Sequence, residues 1–307
     1  MSSDPWDDLA TALLAVHEPF AHDFATHHGF LPGSPAALEV ASEPYSDDWA
    51  AAPSRNANIT GAHLANLAMD HLAGLAILLR TQNPVSVYGP SSVARSTIEI
   101  AARCYYLLEP GVSPLERIRR QQSDRLVALW ERQRLVEIVR GEGSAEAQVA
   151  LDHLDSQIKS VVDSARHHGL TLRNLKDKKR APFIAGPEAA KPVGATDLVE
   201  ALVGQGNGLG AFSYQTMSAV GHGREHGMMQ FFTHRGALLD HTHGDAFGTI
   251  EATPQQTAQN LAGVPIAVVG MLSRLYAHFG WPNGNAGPAA NRLLLVWGRV
   301  AGIPITA

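Results

Sequence analysis

Residues 91–108 read SSVARSTIEIAARCYYLL. Ile98, Ala101, Ala102, Tyr105 and Leu108 recur at steps of three and four, which is the spacing of an apolar face on an α-helix that packs against other helices. Arg95, Glu99 and Arg103 fall four apart, so they stack along a second stripe as a ladder of cation, anion and cation. On an exposed face such a ladder contributes only a few tenths of a kcal/mol per pair. Facing a pocket, it leaves an arginine available to hold an anion, because a shielded guanidinium keeps its proton and must find acceptors. The stretch therefore predicts a central helix with at least part of its ladder shielded from water.

Helical patterns continue on both sides of this stretch. Upstream, Asn58 to Thr81 carries Leu64, Leu67, Ala68, His71, Leu72, Leu75 and Leu79 on a helical stripe, and Asn83-Pro84 closes it. Downstream, Glu109-Pro110-Gly111 ends the central helix, and Ser113-Pro114-Leu115-Glu116 opens an arginine-rich third helix that runs to about Arg140. A fourth runs from Ser144 to about His167. Consecutive helices joined by short breaks demand an antiparallel bundle. Asp4 to Glu18 reads as a short amphipathic helix with Pro5 at its first position. His28 to Arg55 reads as a Gly/Pro-rich strap with one turn of helix near Ala36 to Ala41, and Gly169 to Ala195 as a second irregular segment holding the basic run LRNLKDKKR. Short helices follow at Thr196 to Gly204 and Leu209 to His222. The only strand signals are Met229 to Thr233 and Phe247 to Ala252, which suggest a small hairpin. A last long helix is expected from Thr253-Pro254 through Phe279, with a C-terminal piece near Asn291 to Val300.

These readings predict an all-α fold, a multi-helix antiparallel bundle of about six to eight helices with long irregular connections. Its parts are an N-terminal helix and strap (1–55), a bundle (56–280) with an irregular His/Gly-rich insertion (223–253), and a C-terminal tail or short helix (281–307).

Composition narrows the function classes. At 307 residues, 45% apolar and 17% charged, the chain can bury a sizeable core. A formal charge of −5 gives no general field that draws in nucleic acid. The single cysteine, Cys104, excludes a disulfide framework or a thiolate cluster and reads as a small buried residue. The acidic start MSSDPWDDLA lacks a signal-peptide pattern, and no apolar run approaches the ~18 residues of a membrane span, so a cytoplasmic protein without membrane contact is expected. The apolar last helix, with Leu261, Val264, Ile266, Val268, Val269 and Leu272, predicts a buried or homodimer-forming position.

Candidate chemistry gathers in a few places. Tyr214, Ser218 and His222 lie four apart on one helix face, where they can serve acid/base or nucleophilic chemistry or form a polar network. No Gly-x-Ser-x-Gly elbow surrounds Ser218, so a role as ligand-contacting or core-network polar residues is the stronger reading. His222-Gly-Arg-Glu225-His226 spells the His-x-x-Glu-His of zinc peptidases, in which the two histidines bind zinc and the glutamate is the base. Flanking glycines argue for loop histidines. Glu251, Asp245 and the His241/His243 pair are the further ligands on offer. His63, Asn66 and Asp70 share a face of the second helix, from which Asp70 can neutralise Arg95 or Arg103 if that face meets the central helix.

The run Arg-x3-Glu-x3-Arg-x2-Tyr-Leu-Leu-x-Pro from Arg95 to Pro110, with Glu116-Arg117-x2-Arg120 and Tyr214-x3-Ser218-x3-His222-Gly223, resembles a group of bacterial all-helical proteins with no assigned activity. Their helical pattern is similar to that of the HEPN superfamily, whose bundles include toxin and defence ribonucleases. HEPN ribonucleases carry Arg and His separated by four to six residues, whereas here Arg274 and His278 have three between them.

Three functions follow as expectations. The first is a polar interior pocket that binds, and on one reading acts on, a small polar or anionic molecule. Glu99, Tyr214, Ser218 and His222 are its candidate catalytic groups, and Arg95, Arg103, Asp70 and His63 its ligand contacts. The second is a HEPN-like nucleic-acid effector. The third is a zinc-dependent hydrolase using His222 and His226.

Overall fold

The computed structural model describes residues 4–27, 29–41, 43, 52–81, 88–140, 144–174, 180–186, 191–228, 232–240, 245–250, 252–283 and 285–303. The chain is mostly helical, with its helices packed antiparallel. Eight helices are at least 13 residues long among the described residues: α1 (Pro5–His27), α3 (Pro53–Arg80), α4 (Gly89–Leu107), α5 (Pro114–Arg140), α6 (Ala145–His167), α8 (Leu209–Gly221), α11 (Gly263–Phe279) and α12 (Ala286–Ala301). The shorter pieces are α2 (Pro35–Val40), α7 (Ala195–Val199) running into a π-helical turn (Glu200–Gly204), α9 (Glu225–Met228) and α10 (Pro254–Asn260).

The expected central helix is central. Ile98, Ala101, Ala102 and Leu108 are buried, and α4 packs against α3, α8 and α11. Small residues bring α3 and α4 close together. A Cβ placed on Gly61 would stand 2.6 Å from a methyl of Leu108, and the Cys104 thiol donates to the Gly61 carbonyl at 3.3 Å. Burial pushes that thiol up to about 12, so Cys104 is an unreactive packing residue, as its position suggested. α3 is the one described helix long and apolar enough to cross a membrane, with mean hydropathy 1.4 over its window. Within this fold its Ala65, Ala68, Met69, Leu72 and Leu75 are buried, and it packs on α1 and α4.

α1 runs past Pro19 to His27, well beyond the expected end at Glu18. Tertiary contacts hold the extra turns. Phe20 is buried, the Tyr276 hydroxyl donates to Asp23 at 2.7 Å, and Trp281 donates its indole N–H to the Gly29 carbonyl at 2.6 Å. The expected single helix from Thr253 to Phe279 is instead α10 and α11, bent by 50°. Pro265 has no N–H for the Leu261 carbonyl, and the N–H of Val264 takes it at 2.9 Å. Most of the apolar side of α11 packs on α4, α12 and α3, with Val264, Val268 and Leu272 buried inside the chain, whereas Ile266 is 40% exposed.

α5 and α6 pair beside this core around their own small cluster of Leu126, Leu129, Leu154, Val161 and Val162. A short hairpin, β1 (Thr171–Arg173) with β2 (Phe183–Ala185), packs on the pair where only irregular chain was expected. The insertion does hold a hairpin, β3 (Phe232–Asp240) paired antiparallel with β4 (Asp245–Ile250), but β3 runs on past the expected Met229 to Thr233, of which 229–231 lie outside the described residues. His241, His243, Glu251 and much of the basic run lie outside the described residues.

Candidate functional site

The ladder on α4 is half shielded, and each of its three charged groups has at least one partner. Arg103 Nη2 donates to Glu99 Oε1 at 2.9 Å, and the Tyr214 hydroxyl of α8 donates to Glu99 Oε2 at 2.7 Å. Arg95 Nη2 donates to the Tyr214 oxygen at 3.2 Å and lies 3.9 Å from Glu99. The Arg95 guanidinium carbon stands 5.2 Å from the Tyr214 ring centroid. The side chains of Arg95, Glu99 and Arg103 are 29, 23 and 42% exposed, which lies between the surface and core readings. Burial first, and then the Glu99 carboxylate, raise the Tyr214 phenol above its ordinary range, so it stays protonated and donates. Arg95 Nε is buried with no acceptor among the described residues.

Why α8 meets α4 with this face is a local matter. Gln205, Gly206 and Gly208 adopt left-handed backbone at φ 49°, 89° and 83° and turn the chain back after the π-helical turn. The Glu200 carboxylate accepts the N–H groups of Gly208 and Ala211 at 2.7 and 2.8 Å, and these bonds hold it below the usual carboxylate range. The first turn of α8 is thereby fixed. Tyr214, Ser218 and His222 then face one open cleft, with Thr196, Gln215, Ala219 and Arg224 completing its lining. Tyr214 is buried, Ser218 half-buried and His222 exposed. The His222 backbone N–H donates to the Ser218 carbonyl at 3.1 Å, but no bond between their side chains is found among the described residues, so nothing described activates this serine as a nucleophile.

The zinc-peptidase string does not lie on one helix. α8 ends at Gly221, and Gly223 turns the chain at φ 63° before α9 starts at Glu225. His222 and His226 are therefore not on successive turns of a continuous helix, the arrangement that the motif needs. Among the described residues no three His, Cys, Asp or Glu side chains are grouped to hold a metal.

His63, Asn66 and Asp70 are exposed on α3, on the face away from its buried stripe. Asp70 does not neutralise the ladder. Asp124 of α5 fills that role, accepting from Arg103 Nη1 at 3.3 Å. Leu67, placed on the buried stripe by spacing, is likewise 44% exposed.

Sequence reasoning missed the most buried charge. Arg117 is 2% exposed and donates to both oxygens of Glu39 on α2, with its Nε at 3.3 and 3.1 Å, and to the carbonyls of Leu107 and Glu109. Asn58 donates to Glu39 at 3.2 Å, and its carbonyl oxygen meets His278 Nε2 at 2.6 Å. Burial and the Arg117 charge push the His278 imidazole down to about 3; Glu39, at 3.9 Å, is already committed to Arg117. Three arginines share the last turn of α4, where free carbonyls carry partial negative charge. Arg274, Arg120 and Arg117 donate to the carbonyls of Tyr105, Tyr106 and Leu107 respectively. Of the Arg274 and His278 pair compared with HEPN ribonucleases, half-buried Arg274 is thus bonded to the Tyr105 carbonyl and buried His278 to Asn58. The readable signal was the density of arginines beside Tyr105-Tyr106 and a Pro-Gly break, a helix end in need of cations.

Fold and site together define an all-α bundle whose central helix carries a half-shielded ionic ladder; the ladder bonds to Tyr214, which lines a polar cleft, while Arg95, Glu99 and Arg103 do not line that cleft. Comparison of the chain with protein-family models, with curated proteins and with solved structures finds no match.

Proposed function

We propose that the chain binds a small anion, a carboxylate or a phosphate ester, in the cleft along α8. One observation carries this reading: the cleft is lined by hydroxyl, amide, imidazole and guanidinium groups, with no carboxylate among the described lining residues. Groups that can donate, with one guanidinium and no anion among them, favour a ligand that supplies negatively charged oxygens. Arg224 provides charge, Thr196 and Ser218 provide hydroxyls, and His222 an imidazole. Tyr214 forms the floor, where its hydrogen bond to Glu99 and contact with Arg95 hold the ring in place. Planar forked donors such as arginine suit carboxylate and phosphate oxygens.

The test is a titration of the full chain with inorganic phosphate and with acetate, followed by amide NMR shifts. Shifts concentrated at Thr196, Ser218, His222 and Arg224, and lost in Arg224→Ala, are expected. Shifts absent at millimolar anion, or scattered over the surface and unchanged in Arg224→Ala, would defeat the reading.

A further inference from the structure

A second cleft, with Arg103 in its wall, opens between α3, α4, α5 and the stretch leading into α7. Its cationic wall is made by Arg103, Arg119 and Arg120. Each guanidinium is anchored. Arg119 donates to Glu116 at 2.6 and 2.7 Å and to the Ile184 carbonyl at 2.9 Å. Arg120 donates to Glu116 at 2.9 Å, to Glu109 at 2.7 Å and to the Tyr106 carbonyl at 2.6 Å, and its guanidinium carbon lies 3.7 Å from the Tyr106 ring centroid. Arg120 Nη2 has no acceptor among the described residues, which leaves one edge of a fixed fork unused.

The carboxylates that anchor these arginines, Glu99, Glu109 and Glu116, are not part of the cleft wall; Asp124 is the one acid that is. Asp124 is 60% exposed and touches Arg103 at only 3.3 Å, the loosest ion pair of the group. A solvated pair of this kind is worth little and is readily exchanged. Most of the remaining wall is apolar: Leu64, Leu107, Val127, Val193 and Leu198. Val193 is 41% exposed, so apolar surface at the rim stays in contact with water.

We infer that this cleft binds an amphiphilic monoanion, a carboxylate head on an apolar body. The head takes the acceptor position on Arg103 in exchange with Asp124 and reaches the unused edge of Arg120. The body covers Leu64, Val127 and Val193. A polyanion does not suit the site, because the anchoring glutamates already offset most of the arginine charge. A bare hydrocarbon would leave the forks unanswered, and a bare anion would leave the apolar rim wet. This site is separate from the α8 cleft and does not rest on it.

Calorimetric titration of the full chain with octanoate, octan-1-ol and acetate tests the inference. Octanoate should bind at least about tenfold more tightly than either comparison compound. Asp124→Asn should tighten octanoate binding, while Arg103→Gln and Val193→Asp should each weaken it by about tenfold. Val193 lies outside any helix or strand, so Val193→Asp keeps the test available if Arg103→Gln fails to fold. Arg224→Ala should leave octanoate affinity unchanged, which separates this cleft from the α8 site. The inference is overturned if octanoate does not bind, if octan-1-ol or acetate binds as tightly, or if Asp124→Asn and Val193→Asp both behave as wild type.

Discussion

Two ionic networks in this protein use the same chemistry and differ in what surrounds them. Around Arg117 the guanidinium is 2% exposed and its partner Glu39 12%, and Asn58 and His278 close the remaining valences. Along α4 the three charges are 23 to 42% exposed, and a tyrosine from another helix shares the central carboxylate. The first is a closed joint that ties α2, the end of α4, α5 and α11 together. The second is partly solvated, and two of its members, Arg103 and Tyr214, each line an open cleft where water or a ligand can compete for their bonds. Burial, not the count of ion pairs, separates an architectural network from one available for binding.

The sharpest way to break this comparison is to remove one partner from the closed joint. Glu39→Gln leaves Arg117 buried without its counter-charge, a change that typically costs about 3–5 kcal/mol. Urea unfolding should show a loss of that order. A loss under about 1 kcal/mol would place the Arg117 joint in the same class as a surface pair.

Much of this architecture was legible in the sequence, for physical reasons. The spacing of Ile98, Ala101, Ala102 and Leu108 identified α4 and its buried face, because helical periodicity is set by packing on one side. The i, i+4 register of Tyr214, Ser218 and His222 placed them on one cleft. Glu39 and Arg117 were not legible as a pair. They are 78 residues apart, with α3 and α4 between them, and Glu39 sits in the strap, where no local periodicity records the path of the chain. Asp70 was the expected neutraliser of the ladder, and Asp124 stands there instead, because spacing tells which residues share a face and not which way that face points. The helix ends at Pro19 and Leu261 were misjudged in opposite directions. One proline is tolerated because Asp23, Tyr276 and Trp281 hold the turns beyond it. The other, Pro265, coincides with a change of direction that the core requires.

A smaller effect should come from proton uptake within the closed joint. His278 has its folded value at about 3, below its ordinary 6.5, so the unfolded chain binds the extra proton in between. The stability that His278 contributes is therefore complete above that ordinary value and drains away as pH falls toward the folded one. Between about pH 6.5 and 5 the loss is roughly 1.5–2 kcal/mol. Carboxylates add their own acid sensitivity, so the measurement is the difference between wild type and His278→Gln. The variant should be less stable at neutral pH and show a shallower decline over this window. Parallel curves would mean that the imidazole is not held neutral by the core.

The least costly change to the fold should be in the open ladder. Glu99 accepts from Tyr214 and Arg103, so Glu99→Gln weakens two charge-assisted hydrogen bonds. If the ladder were sealed, this would strand a buried cation and cost as much as Glu39→Gln. Here Arg103 keeps Asp124, and the arginines are 29 and 42% exposed, so solvent replaces much of what is lost. A loss of about 1 kcal/mol follows. Arg95→Lys should cost less still, since it removes one 3.2 Å bond to a hydroxyl while keeping the charge. Its consequence should appear in the α8 cleft. Without the guanidinium against its ring and oxygen, Tyr214 is held by Glu99 alone, and phosphate affinity should fall severalfold while the melting temperature barely moves. A large drop in melting temperature with unchanged phosphate binding would reverse the assignment, and the ladder would join Arg117 as architecture.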